Sequence, residues 1–201
     1  MDILNELNEV QAQAVTTTDG PVMIIAGPGS GKTRVLTYRI AYLIQKGIDP
    51  FRILSLTFTN KAAAEMRERI QHIVGGEAKN IFMGTFHSVF ARILRMDAQK
   101  LGYPTNFTIY DTNDAKNLLK GIIKEEGLND KIYKPSNVYF RISSAKNSLI
   151  GPEDYQTNPD LVTEDQQMGR PLTGKLYEKY QNRLFKAGAM DFDDLLMKMY
   201  E

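Results

Sequence analysis

The most constraining feature of this sequence is a glycine-rich turn between an apolar run and a helical segment. Val22-Met23-Ile24-Ile25 has the length and hydrophobicity of a buried strand, and the residues after the turn have helical periodicity. The turn reads Ala26-Gly27-Pro28-Gly29-Ser30-Gly31-Lys32-Thr33. Strand, glycine-rich turn, Gly-Lys-Thr and helix together form the P-loop pattern, with Ala26 where the strict pattern has glycine.

This pattern predicts a binding site for nucleotide phosphates. Small residues allow successive backbone N–H groups to point at a phosphate, and the start of the helix adds its positive dipole end. Lys32 is long enough to reach the β- and γ-phosphate oxygens, and the Thr33 hydroxyl is a suitable Mg²⁺ ligand. The alternative is a flexible glycine turn before a helix, which leaves the Gly-Lys-Thr ending unexplained.

Composition limits the setting of this site. The chain has 201 residues, of which 42% are hydrophobic, so it can bury a core as one large domain or two small ones. It has no cysteine, which excludes disulfides and thiolate metal sites and suits a cytoplasmic location. No run approaches the length of a membrane span, and no signal peptide is expected at the start. With a net charge of +1, any nucleic-acid binding must rest on a local groove.

Roughly the first hundred residues alternate between strand-like and helical segments. Short apolar runs at 53–58 and 81–83 are each followed by a helical pattern, as the run before the P-loop is. Such alternation predicts a parallel sheet with helices on both faces, so the ends of the three strands should share one rim. Each of these strand ends carries polar or aromatic residues.

The second half of the chain is predicted to be a small all-α insertion. A short strand at 107–110 precedes a helix that Asp111 or Thr112 can cap, and Ser136 can cap another. Residues 156–171 are polar and contain Asn-Pro and Arg-Pro, so they are predicted to form a mobile loop. A further helix follows that loop.

Four other segments occur in an informative order along the chain. They are Leu7-Asn8-Glu9-Val10-Gln11-Ala12-Gln13-Ala14-Val15, Leu56-Thr57-Phe58-Thr59-Asn60-Lys61-Ala62-Ala63-Ala64-Glu65-Met66, Gly84-Thr85-Phe86-His87-Ser88 and Asp191-Phe192-Asp193-Asp194-Leu195. The first three resemble the Q-motif, motif Ia and motif Ib of the UvrD/Rep/PcrA family of superfamily 1 DNA helicases. The fourth resembles the segment in which the chain returns from helical subdomain 1B to motor subdomain 1A. The resemblance spans nearly the whole chain in the family's order.

The resemblance implies an α/β fold in which an incomplete P-loop NTPase (RecA-like) parallel sheet carries the small all-α inserted subdomain. Residues 1–110 would be the first part of subdomain 1A, 111–189 subdomain 1B, and 190–201 the start of the return into 1A. The family's Asp-Glu pair, which holds Mg²⁺ and activates water, has no counterpart among the 201 residues, nor do its arginine fingers and second RecA-like domain. We therefore expect an N-terminal fragment that does not hydrolyse ATP by itself. Unpaired sheet edges in such a fragment favour artefactual self-association.

The function implied by the resemblance is that of an ATP-dependent DNA helicase and translocase. Its cofactors would be ATP and Mg²⁺, and it would move 3′-to-5′ on single-stranded DNA and unwind duplexes at single-strand/double-strand junctions. Its partners would be DNA and the remaining helicase domains, with no membrane. The alternative is a non-catalytic module that binds nucleotide, DNA or a protein, and the missing Asp-Glu pair favours it for the 201 residues alone.

Two residues outside the P-loop are further candidates for the nucleotide site. The Gln11 amide has the donor and acceptor that suit adenine, and the resemblance implies that it gives preference for ATP. Arg34 would flank the nucleotide in the family's manner. The alternatives are an exposed polar residue on an N-terminal helix for Gln11 and a solvated helix residue for Arg34.

The predicted strand ends supply the candidate contacts to single-stranded DNA. Phe58 can stack on any base, and the neighbouring polar side chains and helix N–H groups can bind phosphate oxygens. The candidates are Phe58, Thr59, Asn60 and Lys61 after one strand and Thr85, Phe86, His87 and Ser88 after the next. The alternatives are core packing for the two phenylalanines and a neutral, hydrogen-bonded role for the histidine.

The acidic cluster at Asp191, Asp193 and Asp194 invites comparison with a metal site. Because it directly precedes a leucine-rich helical segment, it is better explained as a helix cap and a partner of the helix dipole.

Overall fold

A computed structural model of the chain describes residues 3–201. The chain divides into two compact units between Val89 and Phe90. None of the helices within 3–201 is both long and apolar enough to cross a membrane.

The first unit alternates helices with two short strands. Its elements are α1 (Glu9–Thr16), α2 (Lys32–Gln45), β1 (Leu54–Thr57), α3 (Asn60–Val74), β2 (Phe82–Thr85) and the first residues of α4 (Phe86–Asp97), with short 3₁₀ turns at Ile3–Glu6, Pro50–Arg52 and Gly75–Asn80. β1 and β2 pair in parallel, with Leu54 opposite Phe82 and Thr57 opposite Thr85. The predicted alternation of strands and helices is therefore confirmed for these two strands, since a helical crossover is what joins parallel neighbours.

The apolar run before the P-loop forms no strand in the structure, contrary to the prediction. Residues 21–27 carry no strand pairing, and the side chains of Met23 and Ile25 are 85% and 91% exposed. A strand needs a neighbour for its backbone N–H and C=O groups, and neither strand of the first unit pairs with this run. Only two of the three predicted strand ends therefore share one sheet edge.

Helices α2 and α3 cover the strand pair with a small apolar core. Thr59 caps α3 by accepting a hydrogen bond from the backbone N–H of Ala62 at 3.1 Å. The guanidinium of Arg67 on α3 donates to the carbonyl of Met83 on β2 at 2.7 Å, which ties the helix to the strand. The buried cluster beneath consists of Ile40, Ile53, Met66, Ile70, Ala78, Ile81 and Met83.

Gly84 lies where β2 approaches the start of α4, and replacing it with alanine is expected to destabilise the protein. A Cβ atom there would lie 2.5 Å from the Ser88 hydroxyl and 3.0 Å from a methyl group of Val89. Overpacking of this kind costs about 1–3 kcal/mol of unfolding free energy, which urea denaturation can measure. The matched control is Gly76→Ala, because a Cβ at Gly76 meets nothing within 4 Å. Equal stability of the two variants would contradict the tight strand–helix contact.

The second unit contains a run of helices with one short strand before it and one after it, and these two strands pair in parallel. Its elements after α4 are β3 (Thr108–Tyr110), α5 (Thr112–Glu125), α6 (Pro135–Asn147), α7 (Pro152–Thr157), α8 (Pro159–Gln167), α9 (Thr173–Lys186), β4 (Ala189–Asp191) and α10 (Phe192–Tyr200). β3 pairs with β4, with Thr108 opposite Ala189 and Tyr110 opposite Asp191. Only helices are assigned from α5 to α9, in agreement with the predicted all-α character of this segment.

Two local predictions in this unit are wrong. Residues 156–171 include the end of α7 and all of α8 instead of a mobile loop. The Asn158 side chain accepts hydrogen bonds from two backbone N–H groups and Pro159 is the first helical residue, so Asn-Pro starts a helix here. Ser136 is not a cap, because α6 begins one residue earlier at Pro135. The predicted cap at Asp111 is confirmed.

The helices of the second unit enclose a core rich in tyrosine. Tyr155, Tyr177 and Tyr180 are almost completely buried, and burial raises the pKa of all three hydroxyl groups. Arg141 on α6 donates to the Tyr155 hydroxyl at 2.8 Å and to the buried carboxylate of Asp165 at 3.1 Å. This network explains why a polar segment such as α8 is ordered against the core.

Candidate nucleotide and nucleic-acid sites

The glycine turn of the first unit closes on itself through two hydrogen bonds to one carbonyl. The backbone N–H and the hydroxyl of Ser30 donate to the Gly27 carbonyl, at 3.3 and 2.7 Å. Gly29 and Gly31 have φ angles of +78° and +85°, which side chains other than glycine rarely adopt. Helix α2 starts directly after this turn, at Lys32. The predicted turn and helix start are therefore confirmed, although the preceding strand is not.

Lys32 and Thr33 lie at the first turn of α2, where the helix presents unpaired N–H groups. The Lys32 ammonium bends back over the loop and donates to the carbonyls of Ala26 and Gly27, at 2.9 and 2.8 Å. An ammonium group, a hydroxyl and a helix N-terminus form a donor set that fits a phosphate chain with its Mg²⁺. Mg²⁺ in such a site would take its protein ligand from Thr33. Residues 3–201 hold no cluster of three or more His, Asp or Glu side chains positioned for a metal.

An open cavity of about 380 Å³ adjoins this loop. It is lined by the start of α1, the run at 24–27 and the start of α2, including Gln11, Ile24 and Lys32. Two cavities of about 500 and 420 Å³ lie in the second unit, but charged surface side chains make up much of their lining and neither contains a motif residue. The cavity beside the P-loop is the one that brings candidate residues together.

Gln11 contacts the P-loop directly. Its side-chain amide donates to the Ser30 carbonyl at 3.0 Å, and its amide oxygen accepts from the backbone N–H of Asn8 at 3.3 Å. The backbone N–H of Gln11 in turn donates to the Asn8 side chain at 2.9 Å, which completes a capping box at the start of α1. Gln11 is therefore half-buried beside the loop, and the alternative of an exposed helix residue does not describe it.

Arg34 lies on the exposed side of α2 and pairs with Glu6 at 3.3 Å. Its guanidinium also lies 5.4 Å from the centre of the Tyr38 ring. The Tyr38 hydroxyl donates to the same Glu6 carboxylate, and this hydrogen bond raises the pKa of Tyr38. These contacts agree with a solvated helix residue, and a contact from Arg34 to a nucleotide stays a prediction.

The carboxyl ends of β1 and β2 form one rim of aromatic side chains. Because Thr57 is opposite Thr85, the next residues of both strands, Phe58 and Phe86, lie side by side with ring centres 5.7 Å apart. Phe58 is 92% exposed, so the alternative of core packing is wrong for it. Phe86 and His87 are half-buried. An exposed ring supported by a second ring is the arrangement on which a nucleic-acid base can stack.

The polar residues of this rim divide into helix caps and exposed side chains. The Thr85 hydroxyl accepts from the Ser88 backbone N–H at 3.3 Å, and the Ser88 hydroxyl donates to the Thr85 carbonyl at 2.9 Å. Thr59 caps α3 in the same way that Thr85 caps α4. Asn60 and Lys61 are exposed at the first turn of α3. The capping roles were missed in the sequence, although a threonine between a strand and a helix is a usual cap signal.

Comparison with known proteins assigns the family. The family described as the UvrD/REP helicase N-terminal domain matches residues 7–201. The chain belongs to the UvrD/Rep helicase family. Its relatives include the ATP-dependent DNA helicases PcrA of Staphylococcus epidermidis and Staphylococcus aureus, each 46% identical over 196 residues. These alignments cover 97% of this chain and 26% of each relative, so the chain spans about a quarter of their length.

In this member of the UvrD/Rep family the acidic cluster is a helix cap, as predicted. The Asp191 carboxylate accepts from the backbone N–H of Asp194 at 2.8 Å, and the Asp194 carboxylate accepts from the backbone N–H of Asp191 at 3.1 Å. Together they form a capping box that starts α10. The metal-site alternative is not supported within the described residues.

A buried lysine completes this cluster. The Lys146 side chain, on α6, is fully buried and lies 2.7 Å from Asp191 and 2.8 Å from Asp194. The Tyr180 hydroxyl donates to Asp191 at 2.8 Å. Lys146 was missed in the sequence, although it follows Ile142 by four residues and so falls on the apolar face of its helix.

The charges of this cluster balance one another only in part. Burial opposes the charge of Lys146, but the two carboxylates outweigh it and raise the lysine's pKa. Burial raises the pKa of Asp194, and Lys146 opposes that rise. The ammonium group of Lys146 therefore offsets part of the cost of burying two carboxyl groups beside it.

Proposed function

We propose that this chain is the part of an ATP-dependent DNA helicase that binds ATP and single-stranded DNA. The observation that carries the proposal is the self-closed glycine turn with Lys32 and Thr33 at the start of α2, in a unit that also carries the exposed Phe58–Phe86 rim. The complete protein would couple ATP hydrolysis to 3′-to-5′ movement on single-stranded DNA and unwind duplexes at single-strand/double-strand junctions. It would act in the cytoplasm.

The proposed fold is a RecA-like motor that the rest of the polypeptide completes. Residues 1–110 and 190–201 would belong to motor subdomain 1A, and residues 111–189 would form helical subdomain 1B. The exposed apolar run at 22–25 supports this proposal, because a pairing strand from elsewhere would cover it. The same run would make the separate 201-residue chain prone to artefactual self-association.

In the proposed nucleotide site the chain's own residues bind and orient ATP with Mg²⁺. Lys32 would neutralise phosphate charge, Thr33 would ligate Mg²⁺, and Arg34 would flank the nucleotide. The backbone of 26–31 would surround the phosphates, in the manner that its positive-φ glycines allow. Mg²⁺ bound there would supply charge neutralisation at the phosphates. A contact between the Gln11 amide and adenine is a separate proposal. Comparing the binding of ATP with that of tripolyphosphate, which has no base, tests it.

In the proposed DNA site the aromatic rim receives bases and the helix starts receive phosphates. Phe58 and His87 would contact bases directly, with Phe86 supporting Phe58. Asn60 and Lys61, exposed at the first turn of α3, would bind the backbone. The role of Thr59, Thr85 and Ser88 would be indirect. Their hydrogen bonds fix the first turns of α3 and α4, whose remaining N–H groups would bind phosphate.

The 201 residues by themselves are proposed to bind ATP without hydrolysing it. Hydrolysis in this class needs an Asp that helps to hold Mg²⁺ and a Glu that activates water, and no apolar strand within the 201 residues ends in Asp-Glu. A non-catalytic binding module is the alternative function. Phosphate release by the purified 201-residue chain would contradict the proposal that these residues bind ATP without hydrolysing it.

Replacing Phe58 with alanine is expected to weaken the binding of a thymidine oligonucleotide to the 201-residue chain by between about fivefold and 100-fold. The reason is the loss of one stacking contact between a base and an aromatic ring. Fluorescence anisotropy with a labelled oligonucleotide measures this change. Phe51→Ala is the matched control, since Phe51 is also exposed but lies in the Pro50–Arg52 turn, which precedes β1 and so is at the opposite end of that strand from Phe58. Equal affinities for the two variants would contradict the proposed DNA site.

A further inference from the structure

We propose that Gln11 is a positioning residue for phosphate binding, which acts by fixing the peptide plane between Ser30 and Gly31. This inference rests on the proposed nucleotide site. It differs from a role in reading the adenine base, because its effect would reach any ligand that carries a phosphate chain.

The Gln11 amide donates a hydrogen bond to the Ser30 carbonyl of the glycine turn. The bond is 3.0 Å long and joins residues 19 positions apart in the sequence. The Ser30 hydroxyl and N–H are already used within the turn, at the Gly27 carbonyl. Gln11 is therefore a side chain from outside the P-loop that holds the loop's backbone.

The rigidity of the peptide bond transmits this contact. A trans peptide is planar, so its N–H points opposite to its C=O. The described chain contains no cis peptide. When Gln11 holds the Ser30 carbonyl, the N–H of Gly31 is directed away from Gln11. That N–H belongs to the row of backbone donors on which a P-loop depends for binding phosphate.

Gly31 itself does not fix this plane. Its φ is +85°, but glycine adopts positive and negative φ angles about equally readily. Without an external contact, the peptide plane between Ser30 and Gly31 can therefore rotate. A Cβ at Gly31 would also lie 2.8 Å from the Gln11 amide nitrogen. Glycine is thus needed to admit the glutamine side chain, and the glutamine supplies the restraint that glycine lacks.

Helix α1 is held firmly enough to serve as the support for Gln11. Its first turn is closed by the capping box between Asn8 and Gln11. At its other end, Arg39 of α2 donates to the carbonyls of Ala14 and Thr17, at 2.7 and 2.5 Å. Both ends of α1 are therefore fixed, one by its own cap and the other by α2.

Binding of Mg²⁺-ATP and of Mg²⁺-tripolyphosphate, measured by calorimetry on the 201-residue chain, tests the proposal. Tripolyphosphate has no base, so only an effect through the phosphates can change its affinity. Gln11→Met keeps the length of the side chain and removes the donor to Ser30. We expect this variant to bind both ligands about three- to tenfold more weakly, the effect of one neutral hydrogen bond.

Asn8→Ala is the matched control for damage to the helix. It removes the stronger bond of the capping box but leaves the donor of Gln11 and the contacts of Arg39 with the other end of α1. Because those contacts still hold the helix, the affinity of this variant for tripolyphosphate should stay within about twofold of the wild type. If Asn8→Ala weakens binding as much as Gln11→Met, the effect belongs to the stability of α1 and the proposal is wrong. The proposal also fails if Gln11→Met loses affinity for ATP alone, which indicates base reading. A wild-type chain that binds neither ligand contradicts the nucleotide site itself.

Discussion

Replacing Lys32 with alanine is expected to abolish DNA-stimulated ATP hydrolysis in the complete protein that carries this chain. The Lys32 ammonium lies over the glycine turn, where it contacts two loop carbonyls, and it is the cation proposed to neutralise charge on the transferred phosphoryl group. Removing one positioned charge of this kind lowers turnover on the order of 100-fold or more. Phosphate release in the presence of single-stranded DNA measures the loss.

Lys46→Ala controls for the general loss of a positive charge, at the other end of α2 from Lys32. Lys46 lies just after α2, 5.3 Å from the centre of the Tyr42 ring, and takes no part in the loop. Its replacement should leave phosphate release within about twofold of the wild type, as is usual for surface positions. Retention of full activity by Lys32→Ala would contradict the assignment of the nucleotide site.

Replacing Lys146 with methionine is expected to lower the free energy of unfolding by about 3–5 kcal/mol, because two buried carboxylates lose their shared cation. Methionine is similar in length and fills the space without a charge. Lys175→Met is the control, since Lys175 is more than half exposed and forms a surface pair with Glu126, worth under about 1 kcal/mol. Urea denaturation of the 201-residue chain measures both changes.

The destabilisation by Lys146→Met should depend on pH in a defined direction. Burial already raises the pKa of Asp194, and loss of Lys146 raises that pKa further. A carboxylic acid with a raised pKa in the folded state contributes stability at low pH, and this contribution is lost as the pH rises through the folded-state value. The difference between variant and wild type should therefore be larger at pH 7.5 than at pH 5. A difference that is equal at both pH values would show that lost packing, and not unpaired charge, is the cause.

The parts of the fold that local sequence determines were predictable. Glycines with positive φ and the Lys32 helix start follow from residues within a few positions of one another, and so does the Asp191 cap. The run at 22–25 was predicted to be a strand from its hydrophobicity alone, but strand formation depends on a pairing neighbour, which no local pattern specifies. Asn158-Pro159 is typical of a loop, but the same pair also favours the start of a helix.

The candidate sites show the same division between local and non-local information. The meeting of Phe58 and Phe86 follows from parallel pairing, because the carboxyl ends of neighbouring parallel strands lie at one edge. The contact of Gln11 with Ser30 depends on the packing of α1 beside the loop, so sequence indicated the residue but not its partner. The pairing of Lys146 with two carboxylates 45 and 48 positions away could not be predicted, although its place on an apolar helix face was a signal.

The most direct test of the account is phosphate release by the complete protein with Mg²⁺-ATP, measured with and without a thymidine oligonucleotide. We predict that release accelerates when the oligonucleotide is added, because the nucleotide site and the DNA-binding rim are proposed to belong to one motor. In parallel, the 201-residue chain should bind Mg²⁺-ATP and release no phosphate. An unchanged rate of release by the complete protein in the presence of DNA would contradict the account.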